Sequence, residues 1–209
     1  GKLTEELRAQ ILAAETQVAV DDLYRPYRPK RRTRATIAKE KGLEPLANLI
    51  LLQKMTETPL EEAKNYINPE KEVSTAEDAL NGAKDILAES VSDNADFRTH
   101  IRELTMKHGQ LLSAAKDPEA ESVYEMYYEF SESLSKLAGH RILAISRGEK
   151  EKFLTVKIDA PVDRILSYLD RKLITAPSAP TAAVLHEVTE DAYNRLIAPA
   201  IEREIRNDL

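Results

Sequence analysis

Apolar residues recur at helical spacing through almost the whole chain, and in only one place do they alternate. Leu7, Ile11, Ala14 and Val18 form the first stripe, and Leu46, Leu49, Ile50 and Leu52 form another after Pro45. Ala76, Leu80, Ala83, Ile86, Leu87 and Val91 form a third, followed by Phe97, Ile101 and Leu104. Ile165, Leu166, Leu169 and Leu173, and then Leu185, Val188, Ala192, Leu196, Ala200, Ile201 and Ile205, repeat the pattern. Such spacing lines one side of an α-helix. The exception is Phe153–Ile158, which alternates apolar and polar residues as a strand does. A single strand cannot bury a face alone, so it needs a partner outside this sequence or in a segment that periodicity does not reveal. The expected fold class is therefore all-α, multihelical, with one short β element.

Caps and breakers place the helices. Thr4 starts a helix that runs to about Leu23, and Gly42 stops a short one over Thr36–Lys41. Thr58 and Pro59 read as N-cap and first helical residue, with Asn68-Pro69 as the stop. Ser74-Thr75 opens the next helix, Asp93-Asn94 breaks it, and a second helix ends near His108-Gly109, with Gln110–Ala115 beginning a third. Two helices joined by a short polar turn make residues 76–116 a helix-turn-helix-like unit. As a DNA reader it is compromised, because Arg98, Arg102 and Lys107 share the second helix with Asp96 and Glu103. An ordinary helical hairpin is the favoured explanation. Pro118 is expected to start a helix through Phe130, and Leu134–Ile145 to continue helical up to Arg147-Gly148. Pro199 should kink the last helix. These breaks divide the chain into an N-terminal helical region (1–75), the helix-turn-helix-like unit (76–116), a helical region with the short strand (117–175), and a linker with the start of a long helix (176–209).

Charge is the second organising feature. Between Arg25 and Lys41 there are eight Lys and Arg against one Glu, so the block carries +7 in a chain of net charge −6. Pro26 and Pro29 fix their own φ and push Arg25 and Arg28 out of the α region, which makes the run extended. At three residues per polyproline turn, Arg25, Arg28 and Arg31 share one ridge and Tyr24, Tyr27 and Lys30 another. Two readings fit. The cations of Arg25, Arg28, Lys30, Arg31, Arg32, Arg34 and Lys39 contact nucleic-acid phosphates, or they pair with the chain's own surplus carboxylates while the tyrosines anchor the run to the helices.

Tyr124, Tyr127, Tyr128 and Phe130 form an aromatic cluster among Glu119, Glu121, Glu125 and Glu129. Those carboxylates repel phosphate, so the cluster reads as core or as a face for a protein partner rather than as a base-stacking platform.

Catalytic signatures are missing. The histidines, His100, His108, His140 and His186, stand in no zinc-ligand spacing, and there is neither a P-loop nor a G-x-S-x-G. No cofactor or metal is expected, and the chain reads as a non-enzyme. The lack of cysteine excludes disulfides and thiolate metal sites and fits a cytoplasmic protein. No apolar run approaches the roughly 20 residues that span a bilayer. The start at Gly1-Lys2-Leu3 and the end inside an amphipathic pattern suggest a fragment of something longer.

Three stretches resemble the Tex family of bacterial transcription accessory proteins. They are the basic block with its continuation (Asp22 to Leu51), Ala138 to Leu154, and Tyr193 to Leu209. The resemblance covers essentially the whole chain. It implies an N-terminal and central helical region, with the last helix leading towards an RNase H-like domain. Full-length members go on to helix-hairpin-helix motifs and an S1-type RNA-binding domain, and neither is present here. The function implied is a non-catalytic nucleic-acid-associated module, binding RNA or DNA weakly and tolerantly of sequence. The alternative is a helical scaffold that docks protein partners, such as the transcription machinery, or the parent's other domains.

Overall fold

The computed structural model describes residues 32–209. The helix expected from Thr4, and Arg25, Arg28, Lys30 and Arg31 of the basic block, lie outside the described residues. In chain order the elements are α1 (Arg34–Glu40), α2 (Glu44–Leu52), α3 (Pro59–Ala63), α4 (Ala76–Ser92), α5 (Ala95–His108), β1 (Gln110–Ala115), β2 (Glu129–Ser133), α6 (Gly139–Lys150), β3 (Leu154–Asp159), α7 (Val162–Leu173), α8 (Thr181–Asp191) and α9 (Ala198–Asp208). A π-helical turn, Ala192–Ile197, joins the last two. The chain is predominantly helical, with one small sheet. Two compact units share the described residues: one takes residues 32–99 plus Leu166–Ala198, the other His100–Ile165 plus Pro199–Leu209.

The first unit is built on α4, against which α1, α2, α3, α8 and the π turn all pack. Small residues allow this approach. Ala79, Ala83 and Ala88 are fully buried, and a Cβ on Gly82 would stand 2.3 Å from Leu43 Cδ1 and 3.3 Å from the Ala38 Cβ. Caps fix the helix starts. Thr33 and Thr36 form a reciprocal capping box on α1, Thr58 accepts from the Glu61 N–H, and Thr75 accepts from the Asp78 N–H. Gln53 ends α2 in the left-handed conformation with its side chain buried. Its amide nitrogen donates to the Leu173 carbonyl at 2.8 Å, and its oxygen accepts from the Thr175 N–H at 2.8 Å and the Ala176 N–H at 3.2 Å. The groups left unsatisfied where α7 ends are thus taken up by a side chain more than a hundred positions earlier.

In the second unit the order β2-β1-β3, antiparallel throughout, differs from expectation in three places. Gln110–Ala115 does not begin a helix. It is the central strand, and it is the partner that the alternating run lacked: Leu112 faces Lys157 and Ser113 faces Val156. The helix expected from Pro118 through Phe130 is also absent. A 3-10 turn (Glu125–Tyr127) leads into β2, where Phe130 lies opposite Ser113. Cross-strand pairing and aromatic β-propensity outweigh the helical spacing there. The continuous helix expected from Leu134 is replaced by a 3-10 turn (Leu134–Lys136), and α6 begins only at Gly139 and runs past Arg147-Gly148 to Lys150. The inner face of the sheet buries Leu111, Ser113, Leu154 and Val156, and α6 packs on β3. Gly148 allows that packing, since a Cβ there would lie 2.6 Å from Leu154 Cδ1.

α5 and α9 supply further ties within this unit. Arg102 pairs with Glu204 at 2.9 Å, Arg206 with Glu149, and Glu202 accepts the Ile158 N–H at 3.0 Å. The interruption expected at Pro199 takes the form of the π turn just before it, where a wider loop accommodates a residue with no N–H to donate.

Candidate nucleic-acid interface

Three of the seven candidate phosphate contacts, Arg32, Arg34 and Lys39, lie among the described residues, and all three stand at or on α1. Thr33 holds the start of this helix: its hydroxyl accepts from the Thr36 N–H at 3.2 Å and donates to Glu89 on α4 at 2.8 Å. Arg32, Arg34 and Lys39 are all exposed. Arg32 lies across the helix against Glu40, 3.1 Å from either carboxylate oxygen. Arg34 and Lys39 point apart, because five residues along an α-helix turn the side chain by about 140°.

Their surroundings differ accordingly. Arg34 borders a cleft of about 280 Å³ with Lys41, Leu43, Asp78 and Asp85, and a second of about 510 Å³ with Lys84, Asp85, Glu187 and Asp191. Lys39 borders a groove of about 410 Å³ whose other polar residues include Glu44, Asn48, Glu89 and Asp93. The structure therefore does not bring these cations together into one anion pocket. They are spread over a surface, as sequence-independent contacts to a polymer's phosphates would be.

The second cleft is electrostatically balanced. Arg195, carried by the π turn, forks onto Asp191 (Nε to Oδ1 3.0 Å, Nη2 to Oδ2 2.8 Å) and stands 3.9 Å from Asp85. Lys84 pairs with Glu187 at 2.7 Å. The hydrogen bonds from Arg195 hold the Asp191 carboxyl below its ordinary range, with Arg34 and Lys84 adding to the effect. Burial pushes Asp85 up, against the pull of Arg195 and Arg34. Arg34 thus already sits in the field of two carboxylates. Sequence reasoning overlooked this network, although the Asp191–Arg195 spacing of four is a readable helical ion pair.

A second network, also overlooked, joins α7 to α8. His186 is clamped between Asp170 (Nδ1 to Oδ2 2.7 Å) and Glu190 (Nε2 to Oε1 2.7 Å), while the Thr189 hydroxyl donates to Asp170 Oδ1 at 2.6 Å. Both ring nitrogens are committed, and the hydrogen bond to Asp170 raises the pKa of the imidazole, with burial opposing. Among the described residues no group of three or more His, Asp or Glu is arranged to hold a metal ion.

The aromatic run is used mostly inside the second unit. Tyr124 and Tyr127 are only 5% and 6% exposed. The Tyr124 ring lies 5.8 Å from that of Phe153, and its hydroxyl donates to Glu151. Tyr127 meets Phe130 edge-on at 5.2 Å, and the Arg141 guanidinium sits over Phe130 at 5.8 Å. The half-buried Tyr128 donates its hydroxyl to the Ala120 carbonyl at 2.6 Å. A partner approaching this stretch would instead meet Val123 and Met126, which are 85% and 71% exposed.

The elements define a multihelical region with a small antiparallel sheet, none of whose described helices is long and apolar enough to cross a membrane. A family model described as Tex central region-like matches residues 54–209, and the chain belongs to that family. It is 48% identical, over its whole length and 29% of the relative, to the uncharacterized protein YdcI of Bacillus subtilis (strain 168). It is 34% identical, over 80% of its length and 23% of the relative, to the transcriptional accessory protein Tex of Neisseria gonorrhoeae. It is 31% identical, over its whole length and 22% of the relative, to the human S1 RNA-binding domain-containing protein 1. The chain thus spans less than a third of the length of these relatives.

Proposed function

We propose that this chain is a non-catalytic, nucleic-acid-associated helical region of a cytoplasmic Tex-type transcription accessory factor. The observation that carries the reading is the concentration of +7 between Arg25 and Lys41 in a chain of net charge −6. The block joins the fold at a fixed point, because Thr33 is tied both to its own helix and to α4. On either side of that point the exposed side chains of Arg32, Arg34 and Lys39 continue the positive charge. The names of the Neisseria and human relatives, a transcriptional accessory protein and an S1 RNA-binding-domain protein, support the same direction.

In this reading Arg25, Arg28, Lys30, Arg31, Arg32, Arg34 and Lys39 contact phosphates one by one, without reading bases, so RNA and DNA bind weakly and with little sequence preference. Other domains of the parent chain and the transcription machinery supply the remaining partners.

The test is fluorescence anisotropy of the chain with short single- and double-stranded RNA and DNA at low and near-physiological salt, beside the Arg28→Ala/Arg31→Ala/Arg32→Ala variant. Binding should weaken with salt. For duplex DNA the triple variant should lower the slope of log K against log salt by about 3, close to one per lost phosphate contact. An unchanged affinity and slope in the variant would refute the assignment.

A further inference from the structure

The sheet has two outer edges, and the chain treats them differently. β1 lies between β2 and β3, so both partners are edge strands. Register decides which backbone groups each edge presents. The Ala115 N–H donates to the Tyr128 carbonyl and the Leu134 N–H to the Gly109 carbonyl. Tyr128, Phe130, Glu132 and Leu134 therefore turn their backbone groups towards β1, while Glu129, Ser131 and Ser133 turn theirs outward. On β3 the bond from the Lys116 N–H to the Phe153 carbonyl sets the opposite count and turns Leu154, Val156 and Ile158 outward. That edge is obstructed, because the outward Ile158 N–H donates to Glu202. Among the described residues no group takes up the outward N–H of Glu129, Ser131 or Ser133.

The open edge has a definite charge. From Asp117 to Ser133 there are six carboxylates and no Lys or Arg. Glu119, Glu121, Glu125 and Glu129 are exposed, and among the described residues only Glu132 of this stretch is paired with a cation, Arg141 at 2.9 Å. The exposed apolar side chains of Val123 and Met126 stand in the turn that leads into the strand.

We propose that the β2 edge is a strand-addition site for an extended, Lys- or Arg-bearing peptide segment of a partner protein. The outward N–H groups of Glu129, Ser131 and Ser133 and the outward C=O groups of Glu129 and Ser131 offer the backbone ladder, and the carboxylates select a basic sequence. Nucleic acid is the wrong ligand for this surface, which separates it from the basic block. Charged, short edges also serve simply to prevent self-pairing, and that is the outcome the test must separate.

The probe is a fluorescent heptapeptide of alternating lysine and valine, titrated into the 209-residue chain beside the same peptide methylated on every backbone nitrogen. The methylated peptide keeps the charge and side chains but cannot donate to a strand. Binding of the plain peptide should slow hydrogen exchange at Glu129, Ser131 and Ser133, and methylation should weaken it by about tenfold or more, the effect of losing one or two hydrogen bonds. Ser131→Pro removes an outward N–H without breaking a ladder bond, so it should also weaken binding about tenfold with the circular dichroism unchanged. If that variant unfolds, the methylated peptide still decides. Equal binding of the two peptides, protection confined to other amides, or no binding of either would overturn the proposal. The last result would leave the carboxylates as guards against edge pairing.

Discussion

Thr33 and Glu89 are joined hydroxyl to carboxylate at 2.8 Å, across more than fifty positions of chain. The same Thr33 oxygen accepts from the Thr36 N–H, so one side chain both caps α1 and fastens it to α4. Thr33→Ala removes both functions while shortening nothing in the core. Loss of such a cap costs about 1–2 kcal/mol, and the denaturation midpoint of the chain should fall accordingly. A midpoint equal to that of the unaltered chain would mean that α1 is held by its buried Ala35 and Ala38 alone.

Gly109 and Gly139 predict opposite outcomes for the same substitution. A Cβ on Gly109 would stand 2.4 Å from the Thr105 carbonyl oxygen, a backbone atom, and 3.3 Å from the Asp159 carbonyl. Gly109→Ala must displace the end of α5 or the strand beside it, at a cost of about 1–3 kcal/mol. Nothing lies within 4 Å of a Cβ on Gly139, the first residue of α6. Gly139→Ala should stabilise by about 0.5–1 kcal/mol through lost freedom in the unfolded chain. Urea titrations of the two single variants give the comparison, and a common sign for both would contradict the packing described.

Which features were legible in the sequence follows from how local their causes are. Thr58 and Thr75 were readable as caps because the hydrogen bond spans three residues. Gly42 was readable as a stop because it takes a positive φ of 79°. β1 was not readable: Gln-Leu-Leu-Ser-Ala-Ala carries neighbouring leucines and good helix formers, and only the pairing with β2 and β3 makes it a strand. Tyr124, Tyr127 and Tyr128 are spaced like a helix face, yet a 3-10 turn places two of them in the core. The cations of the candidate interface were visible as charge. That Arg32 lies against Glu40, and Arg34 beside Asp85 and Asp191, depends on side-chain placement and tertiary folding that no spacing rule supplies.

His186 makes stability depend on pH in a definite direction. The hydrogen bond to Asp170 is the main cause of a pKa raised above the ordinary 6.5, with the charges of Asp170 and Glu190 adding to it and burial opposing. A raised folded pKa means that the stabilisation is complete below the unfolded value and is lost as pH rises through the folded one. The chain should therefore be more resistant to urea at about pH 6 than at about pH 8.5, and His186→Gln should flatten that difference. The effect should be small, since the imidazole is 47% exposed and water screens the pair. A steeper loss in the variant than in the parent chain would reverse the assignment.

Glu40 offers a test of the nucleic-acid reading that strengthens binding instead of weakening it. Its carboxylate lies 3.1 Å from the Arg32 guanidinium and is the one acidic group between Arg25 and Lys41. Both side chains are well exposed, so the pair adds little to stability, and Glu40→Gln should leave the denaturation midpoint within about 0.5 kcal/mol of the parent. It does, however, release Arg32 and take the block from +7 to +8. Affinity for short RNA and DNA at low salt should rise by about twofold to fivefold, roughly 0.4–1 kcal/mol for removing the carboxylate that competes with phosphate for Arg32. The gain should fade as salt is raised towards physiological strength. If the nucleic acid instead met another surface, or if the arginines served only to pair with the chain's own carboxylates, the variant would bind no more tightly at any salt concentration.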